Sequence, residues 1–250
     1  MASTVFITNL NFVVKRPKNN WGLNGLIRED KFINHLQSIQ QNFSLYFPHF
    51  SKKIKTEEGY LFIQEKIEGV PIIKNIEEIS NNSNNIERLS SILAYLHSLS
   101  IKELTAIGFD KRNLWPQEKD LNYMDTPNFV KKIFIKNKIY LDKQDIVFSH
   151  FDFQANNILH NNFLINGIID FGNSAFFDRN IDFAALLLDF SVEFVKNICD
   201  AYEQKVKAKT QWNKIQSLAL NLAIARDIAQ HPRKPRFLHT LKILQKTSTF

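Results

Sequence analysis

Asp152, Asn157 and Asp170 are the residues of this 250-residue chain whose types and spacing could do chemistry together. Asn157 lies five residues after Asp152, and Asp170 lies thirteen after Asn157, where a short apolar run closes in Asp-Phe-Gly. His150 stands two residues before Asp152. An Asp and an Asn five apart in a loop, with a second Asp at the end of a following hairpin, is what phosphoryl transfer needs. One carboxylate orients the attacking hydroxyl and accepts its proton. The amide oxygen and the second carboxylate are hard ligands suited to Mg²⁺ on nucleotide phosphates. Asp and Asn are also common turn residues, so either group alone says little. The joint pattern says more, because the apolar runs Ile146–Phe148 and Gly167–Ile169 flank the loop.

The elements that must hold these residues divide the chain in two. Residues 4–15 are β-branched and aromatic and break at Asn9–Asn11, which predicts two strands and a tight turn. Lys18–Asn24 is polar, contains Gly22 and reads as a loop. Residues 25–40 place Leu26, Ile33 and Leu36 on one helical face. Residues 59–67 read as a strand or strand pair, followed by Gly69 and Pro71. Beyond them the pattern is helical. Ser80–Asn85 is a polar linker or helix entry, and Ile86–Ser98 has a helical period. Residues 126–142 and 211–230 are further helices, and 182–206 carry Leu187, Phe190, Phe194 and Ile198 at helical spacing. Short strands at 145–148 and 163–170 bracket the loop. The expected fold class is therefore α+β, with a small antiparallel-sheet lobe over residues 1–67 and a larger helical lobe over 68–250. Clefts between lobes are common ligand sites.

Composition bounds the alternatives. The chain is 44% apolar and 23% charged, an ordinary globular balance. A net charge of +7 and a pI near 9.3 favour anionic partners. The densest basic cluster, His231–Arg236, carries two prolines and reads as a solvated turn rather than a nucleic-acid patch. Cys199 is the only cysteine, which excludes an internal disulfide and a cysteine metal site. No signal peptide and no apolar stretch of membrane-spanning length is visible, so the expected compartment is the cytoplasm. No Walker motif, nucleophile elbow or H-E-x-x-H occurs. Hydrolysis on a metal held by His150 and Asp152 would need a second His cluster nearby, and His160 stands alone after the loop.

The run HFDFQANNIL resembles the catalytic loop H-G-D-x-x-x-x-N of the aminoglycoside phosphotransferase and choline kinase group. GIIDFGNSAFFDRNIDFA is similar to that family's metal-binding segment, which ends in Asp-Leu-Ala, and LSSILAYLHSLS to its helix ending in Leu-His-x-Leu. The likeness covers most of residues 5–205. It implies a bilobal protein-kinase-like fold, with Asp152 as catalytic base and Asn157 and Asp170 as magnesium ligands. His150 would be a structural member of the loop, and Asp182 would brace the loop from below. Three departures stand out: Phe151, Asn156 and Phe177 occupy positions where the family usually has Gly. They remove no functional group.

A kinase also needs a strand lysine on the α- and β-phosphates, held by a helix glutamate. Lys15 fits, with Arg16 and Lys18 as rivals, and Glu29 fits as its partner, with Asp30 as rival. Adenine would bond to backbone at the Glu65 carbonyl and the Ile67 N–H. Only fourteen residues precede Lys15, so the first kinase strand is expected to be missing and Met1–Ser3 falls where the phosphate-covering turn belongs. A start further upstream, a turn reduced to Ala2-Ser3-Thr4, and a catalytically impaired nucleotide-binding or scaffold protein remain open. The expected ligands are ATP or GTP with Mg²⁺ and a small hydroxyl compound, with no nucleic-acid or membrane partner. A polycationic acceptor would want acids, and Asp189, Glu193, Asp200 and Glu203 offer either a pocket or a solvated helical stripe.

Overall fold

The computed structural model describes residues 3–39, 46–113, 127–138, 145–230 and 238–247. The cluster His231–Arg236, residue 126 and residues 139–142 lie outside them.

The two N-terminal strands form as their composition predicts, β1 over Ser3–Ile7 and β2 over Phe12–Pro17. Asn11 takes a left-handed φ of 59°, and the Thr8 hydroxyl accepts from the Leu10 and Phe12 N–H groups to close the turn. Helix α1 runs over Asn20–Ser38. The stretch Lys18–Asn24 is thus mostly helix rather than loop. The Asn19 side chain accepts from Gly22 N at 2.8 Å and caps the helix. Strands β3, Ser51–Thr56, and β4, Gly59–Glu65, complete an antiparallel sheet of order β1-β2-β4-β3. Among the described residues one strand precedes the Lys15 strand.

At Gly69 the chain leaves this sheet. Its φ is +130°, and an added Cβ would lie 2.7 Å from the His160 carbonyl oxygen, so only glycine fits. A short β5, Val70–Pro71, is followed by α2 (Ile76–Ser80), α3 (Ser83–Ser98), α4 (Ile101–Ala106) and α5 (Asn128–Lys138). Four strands then carry the loops of interest: β6 (Ile146–Ser149), β7 (Ile158–Asn161), β8 (Leu164–Ile168) and β9 (Ala175–Asp178). β6 pairs with β9, and β7 with β5 and β8, all antiparallel. His160 therefore sits inside a strand, buried, with Nε2 3.2 Å from Asn75 Oδ1. Helices α6 (Asn180–Asp189), α7 (Val192–Val206), α8 (Trp212–Gln230) and α9 (Leu238–Thr247) finish the fold. The helical spacing over 182–206 thus belongs to two helices. Phe190 is extended between them, and Ser191 caps the second by accepting from Phe194 N.

Aromatic packing joins the two parts. Phe32 of α1 meets Phe171 at 4.6 Å between ring centroids and Phe148 at 4.9 Å, and Phe171 meets the His150 ring at 4.6 Å. Backbone approach does the same. A Cβ on Gly172 would fall 3.3 Å from the Gly25 carbonyl, so helix α1 and the segment after Asp170 touch main chain to main chain. None of the helices among the described residues is long and apolar enough to cross a membrane.

Candidate active site

The catalytic-loop candidates sit between β6 and β7. Gln154 N and Asn157 N close the loop as turns onto Asp152 O and Gln154 O, each at 2.9 Å. Asn157 Nδ2 donates to Asp152 O at 2.9 Å, which turns the amide nitrogen inward and leaves Asn157 Oδ1 without a protein partner among the described residues. His150 Nε2 donates to Ile169 O at 3.0 Å, and its Nδ1 accepts from Asp152 N at 3.3 Å. These hydrogen bonds make His150 a strut inside the loop.

Asp182 lies beneath, fully buried. Its carboxylate accepts from His150 N at 3.0 Å, Phe151 N at 2.8 Å and His97 Nε2 at 3.2 Å. Tyr202 donates to His97 Nδ1 at 2.7 Å and accepts from Arg179 at 2.7 Å. Burial pushes the Tyr202 phenol up to about 12, which keeps it a neutral hydrogen-bond link.

Asp152, Asn157 and Asp170 all line one cleft of 420 Å³, together with Ser3, Trp21, Gln154 and Asn173. Asp170 holds φ 68° and ψ 62°, a left-handed conformation that breaks the strand before Phe171. Burial first, then the nearby Glu29, raise its carboxyl above the usual range against the pull of Lys15 and His150. Asp152 is half-buried, and its carboxyl meets side-chain donors, Gln154 Nε2 on Oδ1 and Asn157, with no backbone N–H on it among the described residues. Burial, then Asp170, raise it, while His150 and Arg226 pull the other way. Two carboxyls disfavoured as anions in one cleft, beside an amide oxygen without a partner, form a donor set that fits a hard divalent cation. Among the described residues no group of three or more His, Cys, Asp or Glu could hold a metal.

The N-terminal residues separate from their rivals. Lys15 Nζ lies 2.8 and 2.7 Å from the two Glu29 oxygens, in a buried pair. Glu29 also accepts from Phe171 N at 3.3 Å and so ties the lysine to the segment of Asp170. Asp30 instead accepts from Ser51 at 2.6 Å, and Arg16 makes an exposed pair with Glu58 at 3.0 Å. The Glu65 side chain accepts from His49 N at 3.0 Å. Ile67 packs against Gly167, where an added Cβ would meet it at 2.5 Å. Lys15, Glu65 and Ile67 are not among the residues that line the cleft around Asp152.

Of the three positions where glycine is usual, only Phe151 needs a glycine-like backbone, at φ 69°. Its ring is held on both sides, edge-on to Phe177 at 5.2 Å and under the Arg112 guanidinium at 4.7 Å. Two of the three departures thus touch one another. The sequence reading missed Gln154, Arg28 and Arg112. Gln154 was inside the quoted run and could have been found there. The two arginines had no local signal.

The fold and site define a kinase-like protein. Residues 2–216 match the APH phosphotransferase enzyme family, and the chain belongs to it. No curated protein sequence matches. Among solved structures, the chain is similar to the GDP complex of wild-type aminoglycoside 2'-phosphotransferase-IIIa, with a TM-score of 0.79, 17% identity, and coverage of 100% of this chain and 90% of that one. The streptomycin-ATP-APH(2")-IIa ternary complex gives 0.66, 20% identity, and 98% and 88% coverage. A choline/ethanolamine kinase family protein from Mesorhizobium loti gives 0.64, 12% identity, and 100% and 85% coverage. At these identities the likeness is one of fold.

Proposed function

We propose that this phosphotransferase is a small-molecule kinase that moves the γ-phosphoryl group of ATP or GTP, with Mg²⁺, to a substrate hydroxyl. The observation that carries the reading is the convergence of Asp152, Asn157 and Asp170 on one cleft, with the buried Lys15–Glu29 pair tied to Asp170's segment through Phe171. The fold neighbours captured with GDP and with ATP support nucleotide use.

The division of labour follows from the chemistry of each group. Asp152 orients the acceptor hydroxyl and takes its proton. Asn157, through Oδ1, and Asp170 hold the metal. Lys15, fixed by Glu29, meets the α- and β-phosphates. The Glu65 carbonyl and the Ile67 N–H hold the base between a nucleotide lobe, residues 1–67, and a catalytic lobe, residues 68–250. His150 and Asp182 keep the loop in shape. Bound Mg²⁺ and nucleotide would supply the phosphoryl group and shield its charge.

The test is nucleotide turnover with and without Mg²⁺ over a panel of hydroxyl compounds. We expect turnover that Asp152→Asn abolishes, and undiminished turnover in that variant would sink the mechanism. Nucleotide binding without turnover across the panel would instead favour a non-catalytic nucleotide-binding protein of the same fold.

A further inference from the structure

Arg28 and Arg112 stand out among the cations near the cleft. Arg179 and Arg226 each have a carboxylate, Asp145 at 2.5 Å and Asp189 at 3.3 Å. Arg28 and Arg112 are half-buried, and among the described residues their hydrogen bonds go to oxygens of neutral groups, with Asp152 the anion whose charge reaches Arg112. Arg28 Nε and Nη2 donate to Gly172 O at 3.1 and 2.8 Å. Arg112 Nη1 donates to Asn173 O at 2.8 Å and to Asn173 Oδ1 at 3.3 Å. The two guanidiniums thus grip consecutive peptides of the segment after Asp170, where Arg112 feels the charge of Arg28 and, in the opposite sense, that of Asp152. Partly desolvated cations of like sign side by side are costly unless an anion joins them.

Their place says which anion. Arg112 lies over the Phe151 ring, the residue next to Asp152, and its partner Asn173 lines the cleft with Asp152. Arg112 therefore stands beside the proposed base, where an acceptor hydroxyl would be met. The four acids of the C-terminal helices that could seat a polycation are spent or turned to solvent. Asp189 binds Arg226 and the Ala155 N–H, Glu203 binds Lys209 and Thr210, and Glu193 and Asp200 are exposed. We infer that Arg112, with Arg28 behind it, is an acceptor-binding residue and that the acceptor is a hydroxyl compound bearing a carboxylate or phosphate. This rests on the phosphotransfer reading above.

The experiment uses three acceptors on one diol skeleton: glycerate, glycerol and 3-amino-1,2-propanediol, each with ATP and Mg²⁺. The proteins are wild type, Arg112→Met and Arg112→Lys. A charge-assisted hydrogen bond predicts kcat/KM for glycerate about tenfold or more above glycerol, with the amine lowest. Arg112→Met should raise KM for glycerate about tenfold more than it raises KM for glycerol, and Arg112→Lys should recover part of that selective loss. A preference for the amine, or an equal loss on all three acceptors, overturns the inference. A thermal-shift measurement with ADP and Mg²⁺ decides the case in which none of the three is turned over. Millimolar sulfate should then raise Tm in wild type and not in Arg112→Met, and an equal response in both overturns the inference. Absence of any response to ADP and Mg²⁺ overturns the phosphotransfer reading itself.

Discussion

Asp182 and Asp152 are two carboxylates serving the same loop from opposite sides. Below the loop, Asp182 is enclosed and takes three hydrogen bonds, from two backbone N–H groups and His97. Above it, the Asp152 carboxyl meets side-chain donors, Gln154 and Asn157, rather than backbone N–H groups among the described residues, and is raised by burial. A carboxylate whose valences are filled by the fold holds structure. One left underserved in a cleft is free to serve an incoming hydroxyl or cation. The chain behind each explains the difference. Asp182 opens helix α6 and faces a network of His97, Tyr202 and Arg179, and Asp152 sits in a tight turn whose backbone donors are used on Asp152 O, Gln154 O, His150 Nδ1 and the Asp189 carboxylate.

The comparison makes opposite demands of two substitutions. Asp152→Asn should lower kcat/KM about 10³-fold, within the usual range for a general base, and leave Tm unchanged or slightly higher. Asp182→Ala should do most of its damage to stability. It strands three buried donors, so we expect a loss of about 4 kcal/mol, read by urea denaturation. Asp182→Asn keeps one acceptor oxygen and should recover about half of that loss. A large Tm loss in Asp152→Asn with little in Asp182→Ala would reverse the assignment of brace and base.

A pH titration sharpens the same contrast. Asp152 is raised by burial above its ordinary value, so the folded protein retains its proton to higher pH than the unfolded chain does. Its contribution to stability is full below the ordinary aspartate range and is lost as pH rises through the raised folded value. Activity runs the other way, because the base works ionised. The acid limb of kcat/KM should therefore lie above the ordinary range near 3.8. A limb at or below that value would mean that Asp152 is not the group being titrated.

How much of this was legible in the sequence follows from how local each signal is. The loop that brings His150, Asp152 and Asn157 together was legible because its polar residues and its turns sit within one short run. The Lys15–Glu29 pair was legible only as one of several options. What selects it is burial of Lys15 opposite Phe62 in the sheet, a long-range fact. Strand β3, SKKIKT, was missed because its exposed positions carry lysine and left no apolar alternation. The first turn of α1 was missed because Gly22 and the Asn run resemble a loop until Asn19 is seen as a cap. Arg112 was invisible, since its meaning arises from Phe151 and Asn173, far along the chain.

Phe151 offers the finest test, because opposing effects of similar size meet there. A non-glycine residue at φ 69° costs about 1–2 kcal/mol of strain, which Phe151→Gly would relieve. The same change removes a half-buried ring worth about 1 kcal/mol in burial, its edge contact with Phe177 worth about 1, and the Arg112 contact worth about 0.5–1. It also frees the unfolded chain by about 0.5–1 kcal/mol. The losses outweigh the relief, so we expect Phe151→Gly to destabilise the protein by about 1–3 kcal/mol by chemical denaturation. Phe177→Gly deletes the partner without touching strain, so the double variant should lose less than the two single losses together. Full additivity would show that the two rings, placed where glycine is usual, do not compensate one another.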